Sequence, residues 1–105
     1  MDYVRVAKIK DFKNKHIKSF SILGKKIGII QRKDKSFYGI EVGCKHQGAD
    51  LTVGRIEGTI ATCHRHQWEY DLETGKCLNH QSPDLRKYDV RVKGEDIFIS
   101  FLPME

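Results

Sequence analysis

Two short segments constrain this chain more than any other feature. Cys44-x-His46, in CKHQGADL (44–51), and Cys63-x-x-His66, in CHRHQWEYD (63–71), each pair a thiol with an imidazole. Sixteen residues separate His46 from Cys63, room for a loop, a short strand and a return. Each pair follows a stretch that reads as a strand. Two loops carried on a sheet can therefore close on one metal centre, each giving one soft thiolate and one borderline imidazole. A zinc ion held by two Cys and two His is one such centre. Zinc-finger spacing pairs Cys with Cys and His with His, however. Mixed pairs suit a centre of two metals, one held by the cysteines and one by the histidines.

The rest of the chain repeats with a period of two rather than 3.6. YVRVAKI (3–9), HIKSFSIL (16–23), KKIGIIQR (25–32) and SFYGIEV (36–42) read as successive antiparallel strands joined by tight turns, with Gly24 between the second and third and DK (34–35) between the third and fourth. GTIAT (58–62) runs directly into Cys63. WEYD (68–71) follows it and ends in the turn LETG, where Gly75 is free to take positive φ. KYDVRV (87–92) and DIFISFL (96–102) form a closing hairpin across KGE. KDFKNK (10–15) offers one helical turn at most. The fold class is all-β, an antiparallel sandwich or small barrel.

At 105 residues the chain suits one domain with a modest core. Three cysteines are too few for a disulfide scaffold and fit a reducing compartment. MDYVRVAKIK has no apolar signal core, and no stretch approaches a membrane span, so the expected location is cytoplasmic. The net charge is +5. Its lysines are dispersed and no basic helix is visible, which argues against nucleic acid. A solvated face, or docking on an acidic redox partner, remains open.

In these residues the chain resembles the Rieske [2Fe–2S] domain family, and in particular its soluble ferredoxins. The resemblance rests on the four-residue spacing, on Gly48 and Leu51 after the first pair, on WEYDLETGKC (68–77) after the second, and on SPDL (82–85) where the family has a proline-containing cover loop. It extends over essentially the whole chain. It implies one domain (1–105), a β-sandwich or barrel whose two loops form a small cluster-binding subdomain at roughly 43–85. It also implies one [2Fe–2S] cluster per chain, with Cys44 and Cys63 on the inner iron and His46 and His66 on the outer. In the family the two histidines lie at the molecular tip, toward the partner. Replacing two thiolates by neutral imidazoles raises the potential from about −400 mV into the range of about −150 to +300 mV.

Departures from the family place this chain within that range. High-potential relatives carry a disulfide between the cluster loops, at positions that are Ala49 and Arg65 here. They also carry a serine hydroxyl where this chain has Trp68, while a tyrosine is kept as Tyr70. The expected potential is at the low end, below about 0 mV. Tyr70 reads equally as a sulfur contact or as a core aromatic. Gln67 stands where many members have Gly, which means strain if that position has positive φ. His64 reads as a surface residue beside the ligand His66, or as a polar group near the cluster. His16 and His80 read as ordinary polar residues; His80, in the stretch leading to the cover loop, could also lie near the site, which spacing alone does not show. Cys77 reads as a small hydrophobe rather than a ligand.

The function implied is that of a one-electron carrier, taking electrons from a reductase and passing them to a terminal oxygenase or related oxidoreductase. No nucleotide-binding G-x-G-x-x-G is present, and no catalytic domain is expected, so the chain is not expected to be an enzyme by itself. A monomer is expected. Two alternatives stay open: the small subunit of an assimilatory nitrite reductase, and a zinc-stabilised interaction module built on the same four residues.

Overall fold

Period-two sequence becomes ten strands in a computed structural model that describes residues 2–44, 49–65 and 67–104. They are β1 (Tyr3–Lys8), β2 (Ile17–Ile22), β3 (Lys25–Gln31), β4 (Phe37–Glu41), β5 (Arg55–Glu57), β6 (Ile60–Thr62), β7 (Glu69–Asp71), β8 (Lys87–Tyr88), β9 (Val90–Lys93) and β10 (Asp96–Ser100). Single 3₁₀ turns follow β1, at Ile9–Phe12, and precede β5, at Leu51–Val53. The all-β expectation holds.

Three antiparallel sheets result, ordered β1-β10-β9, β2-β3-β4-β8 and β5-β6-β7. The β2-β3-β4 meander follows from local chemistry. Leu23 (φ 50°) and Gly24 (φ 81°) both take positive φ, as a two-residue hairpin turn requires, and this fixes the register Phe20↔Ile27. The central strand β3 is buried on both faces. Ile27 and Ile29 point into one core with Ala7, Phe12, Tyr88, Ile97 and Ile99. Ile30 packs against a second core, formed by Ile40, Val42, Cys44, Leu51, Ala61, Cys63, Tyr70, Leu72 and Leu85. The first core holds the sandwich. The second joins that sandwich to the small β5-β6-β7 sheet.

Two expectations need correction. Residues 87–92 are not one strand: β8 pairs with β4, and β9 pairs with β10. The break is at Asp89, whose carboxylate accepts the Tyr3 hydroxyl and the Arg91 guanidinium while its amide donates to Ser100 Oγ. Nor does β1 pair with its successor. It lies antiparallel to β10, with a register shift between Arg5 and Ala7.

Candidate metal centre

The two sulfurs expected as ligands end up in one place. Cys44 and Cys63 are each 2% exposed, carry no disulfide and belong to the same core cluster. Val42, Leu51, Ala61 and Tyr70 belong to that cluster too, and Val42 and Ala61 each stand two positions before a cysteine, the spacing at which an extended chain returns to the same face. His46 and His66 lie outside the described residues, as do Lys45, Gln47 and Gly48.

Each loop is locked at its base. The first is closed by the Cys44 amide donating to Ala49 O (2.7 Å) and the Leu51 amide to Val42 O (2.7 Å). Asp50 then caps the following turn, accepting from the Thr52 amide (2.8 Å), while its other oxygen accepts from Ser19 on β2 (3.1 Å). The second loop is closed by the Cys63 amide donating to Trp68 O (2.8 Å) and the Gln67 amide to Cys63 O (3.0 Å). Gln67 has φ 61°, so the strain expected from a non-glycine residue here is present.

The Tyr70 hydroxyl lies 3.9 Å from Cys44 Sγ, and the side chain is fully buried, so both readings of Tyr70 apply at once. Trp68 stacks on His80, with ring centroids 4.3 Å apart and an interplanar angle of 16°. His80 is thereby placed beside the second loop, which its position in the sequence does not reveal. His64 and Arg65 are exposed in the turn after Cys63. Cys77 pairs with Tyr70 through an isolated bridge and packs against the core, as its hydrophobe reading expects. His16 lines a groove between β3 and the β5–β7 region. Asn79, which no spacing rule singles out, donates to Gln67 O (3.0 Å) and accepts the Glu69 amide (3.0 Å).

The segment after β7 returns to the core. Gly75 has φ 85°, and a Cβ there would sit 2.6 Å from Leu85 O. Its carbonyl accepts the Leu85 amide (2.8 Å), which draws the buried Leu85 side chain into the core beneath the loops. A salt bridge ties the turn after β7 to the meander: Arg32 forks onto Glu73, through Nε (3.2 Å) and Nη2 (2.9 Å), and lies 4.3 Å above the Tyr38 ring. Glu73 pushes the Arg32 pKa up. Burial, then the Glu73 charge, pushes the Tyr38 phenol up to about 12.

The donor set fits an iron–sulfur cluster. Two unbridged thiols share one dry core, a phenol stands near one of them, and each lies at the mouth of a loop braced by backbone hydrogen bonds.

Comparison with known proteins agrees. Residues 2–93 match the model of the Rieske [2Fe-2S] domain. The chain is 23% identical over 105 residues to the ferredoxin component of the alkene monooxygenase system of Xanthobacter autotrophicus, covering 99% of this chain and 85% of that one. It is 38% identical over 65 residues to the 3-phenylpropionate/cinnamic acid dioxygenase ferredoxin subunit of Shigella boydii, covering 60% of this chain and 61% of the relative. Other relatives are much longer; the chain spans 18% of the cholesterol 7-desaturase of Xenopus laevis. Among solved structures, the ferredoxin of carbazole 1,9a-dioxygenase from Nocardioides aromaticivorans superposes with a TM-score of 0.78 at 27% identity, covering 95% of this chain and 98% of that one. A nitrite reductase small subunit superposes less closely, at 0.69 and 16% identity, and shares the fold. With its family match reaching over most of its length, and with buried thiols that fit it, the chain belongs to the Rieske [2Fe-2S] domain family.

Proposed function

We propose that this protein is a one-electron carrier of the ferredoxin type, taking electrons from a reductase and passing them to a terminal oxygenase. One observation carries the reading: Cys44 and Cys63, from two separate loops, are buried in a single core without being bonded to each other. Cys44 and Cys63 would hold the inner iron of one cluster per chain, and His46 and His66 the outer iron. When bound, such a cluster takes up and releases a single electron.

The chain's own residues set the conditions for that exchange. The core excludes water from the cysteine side, which favours the less charged state of whatever the thiolates hold. Tyr70 can donate to the Cys44 sulfur and so offset added negative charge. The braces at Asp50 and Gln67 limit loop rearrangement between charge states. Oxygenase as the acceptor is supported by relatives named as ferredoxin components of monooxygenase and dioxygenase systems, and by a solved complex of oxygenase and ferredoxin in carbazole 1,9a-dioxygenase. We take residues 1–105 as one domain with the cluster-binding subdomain at roughly 43–85, acting as a cytoplasmic monomer. No helix among the described residues is long and apolar enough to cross a membrane.

The test is electron paramagnetic resonance on anaerobically purified protein, before and after dithionite, with iron and acid-labile sulfide assayed on the same sample. Two irons and two sulfides per chain, silent when oxidised and giving a Rieske-type signal when reduced, are expected. One zinc per chain and no signal after anaerobic reconstitution would replace the carrier by a zinc-stabilised interaction module.

A further inference from the structure

We propose that Asn79 is a positioning residue for the second cluster loop, holding Gln67 in its left-handed conformation so that the loop has its ligand-bearing shape before any metal arrives. The proposal rests on the assignment of Cys63 and His66 as ligands.

Gln67 lies between its own amide bond to Cys63 O (3.0 Å) and the Asn79 amide nitrogen on its carbonyl (3.0 Å). A non-glycine residue at φ 61° persists only where its surroundings over-determine it. A backbone contact holds the peptide before this residue; Asn79 holds the peptide after it. The same side chain accepts the Glu69 amide through its oxygen (3.0 Å), two residues along. Those bonds admit one orientation of the amide, since a flip would set oxygen against carbonyl and nitrogen against N–H. Asn79 is itself held. The Leu78 amide donates to Glu69 O (2.7 Å), and His80 stacks on Trp68. Residues 78–80 thus grip 67–69 from the side opposite Cys63, directly after His66 in the chain. The side chain is exposed, so water could satisfy its polar atoms. What water cannot supply is a fixed donor and acceptor at this spacing.

The experiment compares Asn79→Ala, Asn79→Asp, Gln67→Gly and the double variant Gln67→Gly/Asn79→Ala in the full chain. Two readouts are taken: loss of iron to a chelator, and amide hydrogen exchange at Gln67, whose N–H bonds Cys63 rather than Asn79. Asn79→Ala removes both bonds and is expected to speed both readouts by at least roughly threefold, each net hydrogen bond being worth about that factor or more. It should also shift the g values of the reduced cluster. Asn79→Asp should do at least as much, because a carboxylate oxygen then faces the Gln67 carbonyl. Glycine adopts this φ without strain, so in the Gln67→Gly background Asn79→Ala should cost less than about twofold. The same factor in both backgrounds, or unchanged exchange at Gln67 in Asn79→Ala, overturns the proposal. If the unaltered chain takes up no iron, the ligand assignment fails, and exchange at Gln67 still decides whether Asn79 holds the loop.

Discussion

The phenolic oxygen of Tyr70 lies 3.9 Å from the Cys44 sulfur, with both side chains sealed inside the core. With Cys44 as an iron-bound thiolate, the hydroxyl is the donor, and its dipole opposes the charge gained on reduction. Tyr70→Phe keeps the ring and its packing but removes the donor. The midpoint potential should fall by about 20 to 65 mV, the one-electron equivalent of a net hydrogen bond. Square-wave voltammetry on both proteins measures it. An unchanged potential with intact cluster would make Tyr70 a core aromatic and nothing more.

Arg32 and Glu73 bind the meander to the turn after β7 through two bonds, yet both side chains are well exposed, at 39% and 43%. The fork geometry favours them; solvent screening counts against them. A double-mutant cycle with Arg32→Ala and Glu73→Ala should return a coupling of about 0.5–1 kcal/mol. The coupling should shrink at about 1 M salt. Equilibrium urea unfolding of the four proteins supplies the numbers.

Gly75→Ala tests the return of the segment after β7 to the core. The position has φ 85°, and the added methyl would stand 2.6 Å from Leu85 O, so strain and clash act together. A loss of about 1–3 kcal/mol is expected, lowering Tm by at least about 4 °C for a domain of this size. Differential scanning calorimetry reads it directly.

Acid should weaken the fold through Asp89. The Tyr3 hydroxyl, followed by Arg91, holds this carboxyl below its ordinary range. A carboxylate with a depressed folded-state pKa contributes its full stability above about pH 3.9, and loses it as pH falls through the lower folded value. Asp11, held low by the Lys8 amide and Lys18, and Asp34, held low by Ser36, act in the same window. The urea midpoint should therefore drop between about pH 4 and pH 2, and by less in Asp89→Asn. Equal drops would place the acid sensitivity elsewhere.

The legibility of these features in the sequence follows how local their causes are. Leu23-Gly24 and the alternation on either side determine β2 and β3 within one hairpin, and both are readable. The pairing of β1 with β10 joins the chain's two ends, and alternation does not name a partner. β5 is three exposed residues, Arg55–Glu57, with no apolar rhythm to announce it. The interruption of β8 and β9 depends on Tyr3, far away in sequence, reaching Asp89. At the site, Cys44 and Cys63 are legible because metal chemistry restricts spacing. Asn79 is not, because a side-chain amide that braces a backbone peptide twelve residues away leaves no periodic trace.

The ligand frame is the remaining prediction. His64 is exposed in the turn after Cys63, whereas the family spacing assigns the iron to His66, outside the described residues. The two substitutions therefore separate neighbours of one chemical kind. On the proposed assignment, His66→Ala removes a ligand of the outer iron and should abolish the Rieske-type signal of the reduced protein. His64→Ala removes an exposed imidazole and should leave iron content and g values unchanged. Stability also distinguishes them. A surface substitution stays within about 0.5 kcal/mol, while losing the cluster removes whatever stabilisation its binding contributes. Loss of the signal in His64→Ala with retention in His66→Ala would move the frame by two residues, making the second pair Cys63-His64 and breaking the spacing on which the ligand assignment depends.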